Sequence, residues 1–434
     1  MEYVGEIRDP VHKYIHITDL ERSVIDTSVF QRLRRIKQLA GAHLTYPGAM
    51  HTRFLHSLGV MFTAGRMFTH LANYNPDRAN RDDLQLVRLA GMLHDIGHGP
   101  FSHTFEEVLT ERKGITHEDI AKMLIKKTEL NDIVSQGGFN PDEIADLSTG
   151  KCSIRERWVN QIISSHFDAD ILDYLRRDSF FTGVEYGLID AERIIDSMVL
   201  WDDSLAIDEA ALYALESLFI ARYMMFKAVY FHRTVRAAVI MLSRAMLLVD
   251  DIIGLTDFKT PEEYISLDDY SVIDKIMSID ENREETRLAK RLISGYLNRS
   301  LLKSVFEIFI HHDDPLYHSL ISRPLLRKSL ENEIAQEAGI NPSMVFLDLP
   351  SVPSLPYHPD YSGGRHGGFE VKIVGKENGG KKLKQVFEVS PMVQSLRGFI
   401  GLARVYTFPE LREKVFEASK KIFGERPYSL RVSL

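Results

Sequence analysis

Separated pieces of this chain carry the residue types that hold metals and move protons: Arg53-Phe-Leu-His56, His94-Asp95-Ile-Gly-His98, His103, Glu106, His117-Glu118 and Asp168-Ala-Asp170. Neutral imidazoles and carboxylates are the ligands of borderline and hard divalent cations. Such a cation polarises a phosphate oxygen or lowers the pKa of a bound water. The chemistry indicated is metal-assisted phosphoester hydrolysis. A helix over residues 84–97 places His94 and His98 on one face a turn apart, with Asp95 turned about 100° around the axis. A metal beside that helix takes His94 and Asp95 and leaves His98 to face the substrate. His98, His103, Glu106 and His117 then become candidates for proton transfer or phosphate contact, because an imidazole titrates near neutrality and a carboxylate can orient it. Arg53 offers a permanent, forked positive charge for phosphate. Any one of these residues alone is more often a cap or a surface group. Their joint occurrence, five of 17 histidines beside glycines that permit close backbone approach, carries the argument. His12, His43 and His51 lack such company and are expected to be structural.

The elements that must position these groups are mostly helical. Over residues 20–335 apolar residues recur at three- and four-residue spacing, and alternation of the strand type is scarce. Ile25, Val29, Leu33, Ile36 and Leu39/Ala40 form one stripe that stops at Gly41. Leu84, Val87, Leu89/Ala90, Met92 and Leu93 form another, stopping at Gly97 and Gly99-Pro100. From Asp208 to Leu248 the pattern predicts one long buried helix or two abutting ones. After Gly339 the texture changes, with Pro342, Pro350, Pro353, Pro356 and Pro359 crowded together. Phe369–Val374 and Leu383–Val389 flank a glycine-containing loop and predict a β-hairpin. Met392–Ala418 is expected to be helical. The fold expected is mainly α: a helical domain over 1–335, and a small α+β subdomain with the hairpin over 336–434.

Composition narrows the class. The chain has 434 residues, 44% hydrophobic and 26% charged, which suits a globular protein with a large core. Fifty-three Lys and Arg against 61 Asp and Glu leave a net charge of −8, so nucleic-acid contact would need a local basic patch. One cysteine, Cys152, excludes an internal disulfide and a cysteine-based zinc site, and fits a reducing compartment. The N-terminus lacks the basic-then-apolar order of a signal peptide. The longest apolar stretch, Ala237–Leu255, is interrupted by Arg244, Asp250 and Asp251, against a membrane span of about 20 residues. A cytoplasmic protein is expected.

On these residues the sequence resembles the HD-domain phosphohydrolases, specifically the deoxynucleoside triphosphate triphosphohydrolases of the SAM-and-HD-domain kind and their bacterial relatives. The likeness includes Asp9-Pro10-Val-His12, Phe30-Gln-Arg-Leu-Arg-Arg-Ile-Lys-Gln-Leu39, Tyr46-Pro-Gly-Ala49 and Asp170-Ile-Leu-Asp-Tyr174-Leu-Arg-Arg-Asp178. It continues through Arg222 and Tyr230-Phe-His-Arg233. The resemblance implies an HD core over about 50–180, with His56, His94, Asp95 and Asp170 holding Fe, Mn, Zn, Ni or Mg. It implies that His98, Glu106 and His117 form an active-site set with His103 as a proton donor. Arg53, Tyr174 and Arg222 would hold phosphates, Gln38 and Asp178 the sugar 3′-hydroxyl, while Leu39 and Tyr230 would crowd the 2′ position. The implied reaction is hydrolysis of a dNTP, carried with Mg²⁺, to deoxynucleoside and inorganic triphosphate. A GTP, dGTP or other dNTP effector would bind Asp26, Gln31 and Arg34 in a homo-oligomer, a dimer of dimers.

Four positions depart from the animal enzymes: Glu106 stands for Asp, Ile171 for a lysine, Phe231 for a glutamine, and Arg8 for an asparagine at the regulatory site. The hairpin lysines, Lys376 and Lys381-Lys-Leu-Lys384, offer an effector phosphate contact or a solvated strand edge. The metal site alone does not define the scissile bond. A phosphomonoesterase or phosphodiesterase acting on another nucleotide, and a non-catalytic nucleotide or nucleic-acid binding module, are therefore the competing readings.

Overall fold

The computed structural model describes residues 1–79, 81–310, 324–350, 371–377, 380–396 and 401–424. It is mainly helical, as the periodicity predicts. The central element is the helix Arg53–Tyr74, buried along most of its length. It packs against Arg81–Leu93 on one side and Ala169–Thr182 on another. The close crossing with Ala169–Thr182 requires Gly59, where a Cβ would stand 2.0 Å from the Asp173 carboxylate. That glycine lets charged groups of one helix reach the backbone of the other.

The stripe from Ile25 to Ala40 is not one helix. Asp19–Ile25 ends, Thr27 caps a fresh turn by accepting from the Phe30 N–H, and Ser28–Gln31 passes into a 3₁₀ turn over Arg32–Arg35. Ile36 is extended, and Lys37 bridges Thr52. The side-chain cap competes with continuation of the helix, which an apolar stripe does not report. The long pattern after Asp208 does resolve into two abutting helices, Leu212–Met225 and Arg233–Ile253, joined by a π turn over Phe226–Tyr230.

Strands appear at positions that the periodicity does not mark as well as at the predicted hairpin. Gly5–Asp9 pairs antiparallel with Lys13–Ile17 in an N-terminal hairpin. Arg88 fastens this hairpin by donating to the His16 carbonyl and pairing with Glu21, both side chains almost fully buried. Losing either member would strand a charge at a cost of about 3–5 kcal/mol. Met198–Trp201 and Ser204–Asp208 form a sheet with Lys372–Glu377 and Gly380–Gln385. The predicted C-terminal hairpin is thus present, pairing Lys372–Glu377 with Gly380–Gln385, although Val386–Val389, expected in its second strand, is helical. Lys382 pairs with Glu377 across the hairpin at 2.8 Å.

Met392–Ala418 is not continuously helical: Gly401–Thr407 is a strand between Lys303–Ile310 and Val345–Asp348. A central strand buries both faces, so its apolar run fits either period. This sheet, with helices Pro324–Ala338 and Arg412–Phe423, encloses a second, smaller core around Ile334, Val345, Val405 and Val415. Its first strand begins at Lys303, upstream of the change in sequence texture. Residues Pro353, Pro356 and Pro359, with the glycines that follow, lie outside the described residues. Among the described residues, no helix is long and apolar enough to cross a membrane.

Candidate metal and catalytic site

Three helices and one irregular turn converge on the site. Arg53 and His56 stand one turn apart at the start of Arg53–Tyr74. Asp168 caps Ala169–Thr182 by accepting from the Ile171 N–H, which brings Asp170 to the mouth of the site. The expected helix through residue 97 stops instead at Leu93. His94 ends it by donating from Nδ1 to the Gly91 carbonyl at 2.8 Å, which leaves Nε2 as a lone pair. Gly97 has no room for a side chain, since a Cβ would lie 2.0 Å from the His117 carbonyl oxygen. The result places Asp95 between the two histidines, its Oδ1 3.3 Å from His94 Nε2 and 3.3 Å from His98 Nε2. The expected pairing of His94 with Asp95 is present, but His98 meets the same carboxylate because the helix that would have set Asp95 about 100° away ends first.

His56 Nε2 lies 3.0 Å from Asp170 Oδ1 and 3.5 Å from Asp95 Oδ2, and His94 Nε2 lies 3.9 Å from the same Asp170 oxygen. Both Nε2 atoms are buried and, among the described residues, without a hydrogen-bond partner. Ligands about 2.1 Å from one cation stand roughly 3.0–3.5 Å apart, so unpartnered imidazole nitrogens facing two carboxylates fit a divalent metal. Burial pushes His56 down, but the Asp170 carboxylate beside it, the Nδ1 bond to Asp173 and the charge of Asp95 outweigh this and raise it to about 10. Burial works against the Asp95 charge, yet Arg53, His94 and His98 hold its carboxyl well below the usual range.

Beyond Asp95 lies the second set. His98 stacks on His117 with ring centroids 4.0 Å apart, and His103 stands edge-on to His98 at 4.7 Å. Glu106 accepts from His103 Nδ1 at 3.0 Å and from His117 Nδ1 at 2.5 Å. Burial would lower His117, but Glu106 reverses this and raises it. Burial, with the charges of Arg53 and His117, keeps His98 neutral. Its Nδ1 is buried and unpartnered among the described residues. Arg53 donates to Asp95 and, from Nε, to Ser102 Oγ at 2.8 Å, with Nη2 unpartnered among the described residues. Phe101 and Ser102 turn the chain with φ of 56° and 58°, a conformation costing about 1–3 kcal/mol each in non-glycine residues.

A neighbouring group is built around Asp178. It accepts from Tyr230 at 2.6 Å and His51 at 2.7 Å. Tyr174 and Tyr230 have ring centroids 6.5 Å apart, and both hydroxyls are pushed up, chiefly by burial and against the charge of Arg222. Gln38 stands half-buried with Oε1 unpartnered, and Leu39 packs beside Tyr46. Asp26, Gln31 and Arg34 lie elsewhere. Arg34 donates to Gln31 at 2.8 Å, Gln31 to the Ile25 carbonyl at 2.8 Å, and Asp26 is an exposed helix end.

The sequence reading missed a layer behind the metal site. Asp173 accepts from His56 Nδ1 at 2.9 Å and from His12 at 2.6 Å, and binds Arg177, which pairs with Asp9 at 2.8 Å. Burial opposes its charge, but Arg177 and the two histidines hold Asp173 well below the usual carboxylate range. His12 and His51 are therefore tied to the site rather than incidental, whereas His43 stays outside it. The only sequence signal was Asp173 lying three residues after Asp170, one turn along the same helix face. A carboxylate behind a ligand histidine fixes its tautomer and orientation, so Asp173→Asn is expected to weaken metal affinity about 10–100-fold. Chelator competition measures this; unchanged affinity would mean that packing alone aims His56.

Comparison with known proteins agrees. Residues 53–178 match the HD domain and residues 189–428 match the HD associated region. The uncharacterized Bacillus subtilis protein YwfO is 33% identical over 90% of this chain and 89% of its own length. The Dictyostelium discoideum homolog of SAMHD1, a deoxynucleoside triphosphate triphosphohydrolase, is 33% identical over 71% of this chain and 61% of its own length. The crystal structure of a phosphohydrolase from Bacteroides thetaiotaomicron superposes with a TM-score of 0.72 at 27% identity, covering 93% of this chain and 99% of that one. The HD motif, the associated region that follows it and relatives matched along nearly the whole length agree, and the chain belongs to the HD-domain phosphohydrolases.

Proposed function

We propose that this phosphohydrolase is a metal-dependent dNTP triphosphohydrolase, releasing deoxynucleoside and inorganic triphosphate. The observation that carries the reading is that one carboxylate, Asp95, joins a metal-holding set to a proton-bearing set and also accepts from Arg53. His56, His94, Asp95 and Asp170 would hold the divalent ion, which when bound polarises a phosphate oxygen and activates water. Arg53 Nη2 offers a donor to the same phosphate, as do Tyr174 and Arg222. His117, kept cationic by Glu106, adds positive charge where the phosphoryl oxygens gain negative charge. His103, held through Nδ1 by Glu106, passes a proton from Nε2 to the leaving 5′-oxygen.

Asp178, Tyr230, Gln38 and Leu39 form the sugar end. A 2′-hydroxyl there would meet Leu39 and the Tyr230 ring. The substrate class is supported by the name of the Dictyostelium relative and by this group. An effector nucleotide would engage Asp26, Gln31 and Arg34 in a homo-oligomer. The reading is tested by rates on matched dNTP and NTP pairs with Mg²⁺ or Mn²⁺, with and without GTP. Exclusion by lost sugar contacts and a clash predicts a preference of about 100-fold or more for the deoxy form. Equal rates would overturn the sugar assignment.

A further inference from the structure

The turn carrying the chemistry belongs to no helix, and groups distant in sequence hold it. Three successive carbonyls after Asp95 are each gripped by a side chain. Arg32 donates from Nη2 to the carbonyls of Ile96 at 3.0 Å and His98 at 2.8 Å, and from Nη1 to that of Leu267 at 3.2 Å. Tyr264 donates its hydroxyl to the carbonyl between them, that of Gly97, at 2.6 Å. The Arg32 guanidinium lies 5.0 Å from the centroid of the Tyr264 ring, so the two clamping groups brace each other. On the opposite side, the missing side chain of Gly97 lets the turn press on the His117–Lys127 helix.

Arg32 is fully buried and takes part in no ion pair among the described residues; nearby Asp268 is bound by Arg35. A buried guanidinium balanced mainly by carbonyl dipoles is a costly way to fill a core, since an apolar side chain of similar volume would pack there with less desolvation. Its particular capability is a planar fork that reaches several acceptors at fixed angles. Here those acceptors flank the residue that presents the His98 ring to Asp95 and His117.

We propose that Arg32 and Tyr264 are positioning residues that clamp the Ile96–His98 backbone and so hold His98 in register with the phosphate site. The proposal deepens the reading of this cluster as a phosphohydrolase site. Without the clamp the turn drifts from Ile96 onward, while His56 and Asp170 keep their helical supports, His94 its bond to the Gly91 carbonyl and Asp95 its bond from Arg53.

The test uses the full-length, Mn²⁺-loaded protein and the variants Tyr264→Phe, Arg32→Met and Arg32→Lys. Amide hydrogen exchange is followed by mass spectrometry alongside metal content and steady-state dNTP hydrolysis. Loss of clamping is expected to speed exchange in residues 94–103 about tenfold in Tyr264→Phe and Arg32→Met, with Arg53–Tyr74 unchanged. Misplacement of His98 is expected to lower kcat about tenfold or more, with KM and metal content near wild type. Arg32→Lys keeps the charge but not the fork and is expected to behave like Arg32→Met. Wild-type protection of residues 94–103 in Tyr264→Phe, or loosening spread evenly over the chain, overturns the proposal. If Arg32→Met does not fold, Tyr264→Phe decides it. If the wild type does not hydrolyse dNTPs, the substrate reading fails, while the exchange data still decide the clamp.

Discussion

Asp95→Ala is expected to strip the protein of its divalent metal and to abolish hydrolysis. Asp95 lies within 3.5 Å of His56, His94 and His98, and it also accepts from Arg53. Its removal deletes a ligand, unties His98 and leaves the buried Arg53 guanidinium without its anion. Elemental analysis after desalting should fall from about one metal per chain to below about one-tenth, and the rate by at least about 10³-fold. His94→Ala should lose the metal in the same way, because its Nε2 has no other partner. Full occupancy in either variant would remove the residue from the ligand set.

Glu106→Gln is expected to separate metal binding from turnover. Glu106 touches no member of the metal-holding set; it holds His103 and His117 through their Nδ1 atoms. Its own carboxyl is buried, yet bonds from His103 and His117 keep it far below the usual range, so it is an anion throughout the working pH range. Metal content should stay at the wild-type level while kcat drops about 10²–10⁴-fold, the usual worth of positioned acid–base groups. The direction of the pH effect follows. Burial works against the His117 charge, but the Glu106 bond and charge raise it above its ordinary value, so its cationic form persists to higher pH than that of a free imidazole. With a neutral amide in place it gives up its proton at lower pH, and the alkaline limb of the pH–rate profile shifts toward acid. An unchanged kcat and profile would contradict a catalytic role for the pair.

The motif residues were legible because ligand chemistry restricts residue type, and because His94, Asp95 and His98 are neighbours in the chain. What surrounds them was not. Asp9 and His12 reach Arg177 and Asp173 respectively from a hairpin whose strands are five residues each, too short for alternation to stand out. Asp173 and Arg177 lie on a helix whose charges look like a solvated face until Gly59 lets a second helix cover them. The turn after Leu93 looked helical because its apolar spacing runs on through Ile96. Only a side-chain bond from His94 to its own helix and the contact at Gly97 end it there. Arg32 sits in a basic run that suggests an exposed surface, yet it alone of Arg32, Arg34 and Arg35 turns inward. In each case the missing information was a contact between distant segments, which periodicity does not encode.

The central claim, that this metal site cleaves a nucleotide at its α-phosphorus, is tested most directly by phosphorus NMR. The protein is incubated with each dNTP and Mg²⁺ or Mn²⁺, with and without GTP, in water enriched in oxygen-18. The account predicts inorganic triphosphate carrying one label on a terminal phosphorus, together with unlabelled deoxynucleoside. Orthophosphate or a nucleoside monophosphate as the first product would contradict it and move the assignment to a phosphomonoesterase or phosphodiesterase.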